Sequence, residues 1–117
     1  MEELEKTFIE EYEGAKEQLE KERYKNAVIL FSKALFALSD LIIYQKLKKL
    51  PKNHNERFRI LEEYFPELYK ITDELFKDYT DAYSKPVLKE TCEKIENGIK
   101  NISENFELSE RIKELVK

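Results

Sequence analysis

The sequence predicts an all-α fold, an up-and-down antiparallel bundle of five helices followed by a short sixth segment. Apolar residues recur with gaps of three and four along most of the chain, which is the period of a helix. The 117 residues contain only two glycines and three prolines, too few for the many turns of a β-sandwich or barrel. The length is typical of one domain, so we assign residues 1–117 to a single bundle.

The second predicted helix, residues 25–49, is the most apolar part of the chain, with 14 apolar residues among the 18 from Ala27 to Tyr44. A first helix over residues 3–22 precedes it and has a single apolar stripe. A helix that is apolar nearly all round is buried on several sides, either because it is central in the bundle or because it meets a second subunit. Both explanations are open from the sequence, and the second predicts a homodimer. We expect the second and fifth helices to pack together through large apolar residues: Phe31, Leu35, Leu38 and Ile42 against Ile95, Ile99 and Ile102.

Prolines and one asparagine mark the predicted helix boundaries. Pro51 ends the second helix, and Asn53 is predicted to cap a short third helix, with Glu56 completing a capping box. Pro66 suits the first position of a fourth helix, where its missing N–H costs nothing. The segment Ser84–Pro86 is predicted to end the fourth helix and to cap the fifth.

The composition excludes several classes of site. One cysteine and one histidine cannot form a disulfide framework, a cysteine-based zinc site or a paired-histidine metal site. The two glycines lie far apart, which excludes a glycine-rich phosphate loop. Cys92 falls on an inward position of the fifth helix and is interpreted as a small apolar residue. We therefore predict no catalytic residue, no metal site and no cofactor.

The chain begins without a basic and apolar leader, and four polar residues interrupt its most apolar stretch. We therefore expect a cytoplasmic protein that makes no membrane contact. Glu and Lys dominate the charged residues, with 21 and 17 copies, a usage that resembles thermophile proteins.

Positive charge is concentrated in one segment of this acidic protein, whose formal net charge is −4. Residues 46–59 contain six Lys or Arg residues, one Glu and the only histidine. One interpretation is a docking patch for phosphate or for an acidic partner. The other is a solvated helix C-terminus, where Lys side chains suit the helix dipole. The candidate binding residues for a nucleotide, RNA or a partner are Lys46, Lys48, Lys49, Lys52, His54, Arg57 and Arg59.

His54 has two interpretations of its own. A general base needs a nucleophile or a substrate proton within hydrogen-bond reach, and neither an acid nor a cysteine adjoins His54 in the sequence. A structural histidine at this position would open the third helix and pack on the second helix or bond to the loop. We favour the structural role, and we expect His54 to matter more for stability than for activity.

The second helix and its exit resemble the HEPN domain family, in which a helix rich in Ala, Leu and aromatic residues ends in a basic loop. The matching segments are Asn26–Leu35 and Pro51–Phe58, where a proline and a polar residue precede the histidine that opens a short helix. The later segment Tyr79–Pro86 is similar to the Tyr-Ile-x-x-Arg-Tyr-Pro-like run of many members. The order of two long, one short and two long helices also agrees, so the resemblance extends over residues 5–105.

This resemblance implies a small stand-alone module that dimerises and is paired with a minimal nucleotidyltransferase. The RNase members place an arginine a few residues before a histidine on a late helix, whereas the comparable stretch Lys77–Tyr83 contains neither residue. We therefore expect a non-catalytic module that binds a nucleotidyltransferase partner, a nucleotide or RNA. Two alternatives stay open: a divergent, toxin-like RNase that uses His54 with Arg57 or Lys49, and a general interaction bundle with no nucleotide link.

Overall fold

A computed structural model describes all 117 residues and confirms the all-α prediction, with six helices and no strand. The helices are α1 Glu2–Glu20, α2 Tyr24–Leu47, α3 His54–Tyr64, α4 Pro66–Asp81, α5 Lys89–Asn105 and α6 Glu110–Val116. The bounds of α1 and α2 lie within two residues of the predicted ones. The apolar period therefore located both long helices correctly.

The central helix of the bundle is α2, which packs against α1, α3, α4 and α5. Thirteen of its residues are buried. Its length and composition would also suit a membrane span, but 72% of its most apolar window is buried within the fold. The central position in one chain therefore accounts for most of the apolar character of α2.

One hydrophobic core of 26 buried residues joins all six helices. The seven residues predicted to pack α2 on α5 all belong to this core, and the two helices are in contact. The short helix α6 packs on α5 and α1. The described chain is thus organised around a single core.

A buried carboxylate ties α1 to α5. Glu96 is only 7% exposed, and it accepts hydrogen bonds from Lys16 Nζ (2.6 Å) and from the Tyr12 hydroxyl (3.3 Å). Burial, followed by the negative charge of Glu96, raises the pKa of Tyr12 far above its ordinary value, so the hydroxyl stays a donor. Lys100 Nζ adds a second cation 3.8 Å from the same carboxylate. The charge of this buried group is therefore compensated.

The helix boundaries agree with the prolines and with Asn53, but two capping predictions are wrong in part. Asn53 Oδ1 accepts a hydrogen bond from the Glu56 N–H (2.9 Å), which confirms the cap. Glu56 Oε1 is buried without a partner, so the reciprocal half of the capping box is not formed. Pro66 begins α4 as predicted. The segment Ser84–Pro86 follows the end of α4, but α5 begins only at Lys89 and has no side-chain cap.

Candidate functional site: a cationic turn beside a buried ion pair

The turn between α2 and α3, residues 48–53, joins the end of α2 to the start of α3 in six residues. Lys48 adopts the left-handed conformation (φ 54°, ψ 36°) at a position where glycine is usual. Its backbone N–H donates to the Tyr44 carbonyl (2.9 Å), and its ammonium lies 5.5 Å from the centre of the Tyr44 ring. The Asn53 cap then starts α3. Hydrogen bonds to the two helices therefore fix both ends of the turn.

Four lysines in and beside this turn are exposed, and none has a carboxylate within 4 Å. We call Lys46, Lys48, Lys49 and Lys52 the cationic turn. Residues 46–53 contain no acid, so no sequence neighbour neutralises these charges. Four like charges within eight residues create a positive potential that attracts phosphate groups or acidic surfaces.

Arg59 lies outside the cationic turn, on the exposed side of α3. Its guanidinium is 3.9 Å from the Glu56 carboxylate, one turn earlier on the same helix. The side chain is 75% exposed, so this ion pair contributes little to stability. Arg59 therefore remains accessible, but it is partly balanced by a local acid.

Arg57 turns inward, contrary to its place in the predicted surface patch. Its Nε donates to Asp40 Oδ1 (2.7 Å) and its Nη2 donates to Asp40 Oδ2 (2.9 Å). The two side chains are only 11% and 13% exposed. Such two-point pairs between a guanidinium and a carboxylate are strong and geometrically specific. Arg57 therefore joins α3 to α2, and a ligand phosphate could reach it only by displacing Asp40.

His54 extends this ion pair. Arg57 Nη1 lies 2.6 Å from His54 Nδ1. A guanidinium can only donate, so Nδ1 is the acceptor and the neutral ring carries its proton on Nε2. Burial, followed by the positive charge of Arg57, lowers the pKa of His54 against the opposing effect of Asp40. In this arrangement His54 has no free lone pair with which to take a proton from a substrate.

Aromatic rings enclose the ion pair and the histidine. The His54 ring stands edge-on to Phe36 of α2 and to Phe76 of α4, with ring centroids 4.9 and 5.2 Å away. The Arg57 guanidinium lies 5.2 Å from the centre of the Phe36 ring, and Tyr79 packs 5.1 Å from the same ring. Packing of His54 on the second helix, the basis of its predicted structural role, is confirmed.

Two other side chains with nucleophilic atoms are held in their protonated forms. The Tyr79 and Tyr83 hydroxyls share a hydrogen bond (3.2 Å), and this bond, followed by burial, raises the pKa of Tyr79 to about 12. Burial raises the pKa of the Cys92 thiol to about 11, and the thiol donates to the Tyr24 carbonyl (3.4 Å). No group of three or more His, Cys, Asp or Glu side chains is placed to hold a metal ion.

Asp40, the partner of Arg57, was not predicted from the sequence. It is the only acid between Ala27 and Tyr44, and an acid within an apolar helix signals that a cation lies opposite it. The structure thus divides the seven candidate residues. The four lysines in and beside the turn are exposed, Arg59 has a local partner, and His54 and Arg57 belong to the inward network.

Comparisons with known proteins identify no relative of this chain. No protein-family model, no curated protein and no solved structure matches it. The HEPN resemblance therefore stays a prediction, and the functional interpretation depends on the geometry described above.

Proposed function

We propose that this chain is a non-catalytic, HEPN-like module that binds the phosphate groups of a nucleotide or of single-stranded RNA at the cationic turn. The observation that carries this proposal is the cluster of four exposed, unpaired lysines in a protein whose net charge is −4. Lysine ammonium groups bind phosphate mainly through charge and the release of counterions. The acidic remainder of the surface repels nucleic acid, which directs a phosphate ligand to this turn.

The ion pair between Arg57 and Asp40 supports the proposal because it fixes the two helices that flank the turn. Asp40 lies about two helical turns before the end of α2, and Arg57 lies in the first turn of α3. Joining these two positions holds the helices on either side of the lysines. A site that is ordered before binding loses less conformational entropy when the ligand arrives.

A divergent RNase is supported less well by the geometry. Cleavage without a metal needs a base with a free lone pair and a cation that can stabilise the phosphate. In this chain the Nδ1 lone pair of His54 faces Arg57, and the Arg57 guanidinium faces Asp40. Neither the His54 lone pair nor the Arg57 guanidinium is therefore free to act on a substrate.

A nucleotidyltransferase partner and a homodimer belong to the same proposal through the HEPN resemblance. Most of α2 is buried within one chain, with Ile29, Leu30 and Leu47 partly exposed. The large apolar residues that are exposed are Met1, Leu50, Tyr64, Tyr83 and Leu88.

Fluorescence anisotropy with labelled single-stranded RNA in metal-free buffer tests the proposal. A variant that replaces Lys48, Lys49 and Lys52 with Ala should bind at least about tenfold more weakly than the wild type. The matched control replaces Lys70, Lys77 and Lys89, which are also exposed and have no carboxylate within 4 Å. It changes the net charge equally and should bind like the wild type.

Two results would contradict the proposal. Equal losses of affinity in the two triple variants would show that net charge alone matters. RNA cleavage that disappears in His54→Ala, with the helical circular dichroism unchanged, would favour the RNase instead.

A further inference from the structure

A groove of about 330 Å³ lies beside the cationic turn, where the C-terminal end of α2 meets the α3–α4 junction and the end of α5. Its volume falls at the lower end of the range of about 300–1,000 Å³ for small-molecule sites. Lys46 lines this groove and also belongs to the cationic turn. The groove is therefore continuous with the proposed phosphate site.

The apolar part of the groove has free aromatic surface. Ile42 and Phe65 are 3% and 8% exposed and form its buried part, whereas Tyr64 is 54% exposed. Tyr64 and Phe106 both line the groove, and neither lies against another aromatic ring of the chain. A planar ligand could therefore stack on them, and stacking of this kind is a main source of affinity for unpaired bases.

The polar side chains of the groove also lack partners. Gln45, Lys46 and Glu107 line it, and none of them makes a side-chain hydrogen bond or an ion pair within the chain. Lys46 and Glu107 have opposite charges and line the same groove, but their charged groups lie more than 4 Å apart. A single ligand with an anionic end and an end rich in hydrogen-bond donors would satisfy both charges.

We propose that this groove binds the guanine base of a nucleotide whose phosphate lies at Lys46. The base stacks on Tyr64 and Phe106, and the Glu107 carboxylate accepts hydrogen bonds from the N1–H and N2–H groups of guanine. Guanine presents these two donors side by side, whereas the same edge of adenine presents one donor and one acceptor, so guanine is preferred. This proposal rests on the proposed function, because the phosphate site is the same cationic turn.

NMR titration of the isotope-labelled protein with inorganic phosphate, GMP and AMP tests the proposal. All three should shift the backbone amide signals of the cationic turn, and only the nucleotides should also shift signals of Tyr64 and Phe106. GMP should bind about tenfold more tightly than AMP. Glu107→Ala should remove this preference, and Tyr64→Ala should weaken both nucleotides about tenfold while Tyr64→Phe retains binding. Tyr83→Ala, at another exposed tyrosine, is the matched control and should bind like the wild type.

Two results separate the failure of the groove from the failure of the proposed function. Equal affinities for GMP and AMP, or shifts confined to the turn together with unchanged binding by Tyr64→Ala, would overturn the guanine site and leave the phosphate site standing. If neither phosphate nor the nucleotides shift the signals of the turn, both proposals are overturned.

Discussion

At the scale of single residues, the roles of Arg57 and His54 are determined by their partners in space and not by their neighbours in the sequence. Both belong to a basic run in the sequence, but Arg57 faces Asp40, seventeen residues earlier, and His54 bonds to Arg57. The charge of Arg57 is paired with Asp40, and the Nδ1 lone pair of His54 accepts a hydrogen bond from Arg57. The four exposed lysines of that run have no carboxylate partner and remain available for a ligand.

Arg57→Ala removes the partner of a nearly buried carboxylate, so we expect the free energy of unfolding to fall by about 3 kcal/mol. Replacing both Asp40 and Arg57 with Leu should recover most of that loss, because no unpaired charge is then left inside. Urea unfolding followed by circular dichroism measures both values. A loss below about 1 kcal/mol in the single variant would indicate an ordinary surface ion pair and contradict this interpretation.

His54 should make stability depend on pH. Its pKa in the folded chain lies below the ordinary value of 6.5, so the unfolded chain takes up the proton first as the pH falls. The contribution to stability is therefore complete above about pH 6.5 and decreases as the pH falls toward the folded pKa. Urea unfolding between about pH 7 and pH 5 should show this slope in the wild type. His54 is the only histidine, so His54→Gln should flatten the slope, and equal slopes in the two proteins would contradict the prediction.

At the scale of helices, the sequence was sufficient wherever a repeated pattern decided the structure. The apolar period located the helices, and Asn53 and Pro66 marked the starts of α3 and α4. The pattern did not show that Arg57 turns toward Asp40, because an ion pair across two helices leaves no periodic signal. The groove was also hidden, since Tyr64 and Phe106 line the same space only after α2, α3 and α5 have packed.

Gly14 and Gly98 allow a test of helix propensity against packing. Alanine is favoured over glycine inside a helix by about 1 kcal/mol. A Cβ at Gly14 would lie 3.4 Å from Leu30 Cδ1, an ordinary contact, so Gly14→Ala should stabilise the fold by about 0.5–1 kcal/mol. A Cβ at Gly98 would lie 2.8 Å from Leu75 Cδ1, so that side chain must move and the gain should be smaller. Urea unfolding compares the two variants, and a larger gain at Gly98 would contradict this ranking.

At the scale of the whole molecule, a single chain buries most of its most apolar helix. α2 packs against four other helices, so much of the apolar surface that first suggested a homodimer is buried within one chain. The HEPN resemblance still implies a dimer. Light scattering at micromolar concentration should then report twice the 14.1 kDa of the chain. A species of 14.1 kDa alone would contradict the homodimer.

The charge distribution is the second property of the whole molecule. An acidic protein with one cluster of unpaired lysines should bind single-stranded nucleic acid through that cluster and through little else. The affinity should therefore depend on salt in proportion to the number of phosphates that the lysines contact.

The salt dependence of RNA binding is the most direct test of the cationic turn. For single strands the logarithm of the binding constant falls with the logarithm of salt concentration by about 0.7 per contacted phosphate, so four lysines predict a slope of about −3. Replacing Lys48, Lys49 and Lys52 with Ala should reduce the slope to about −1, and replacing Lys70, Lys77 and Lys89 should leave it unchanged. A wild-type slope in the variant of the turn would contradict phosphate binding at this site.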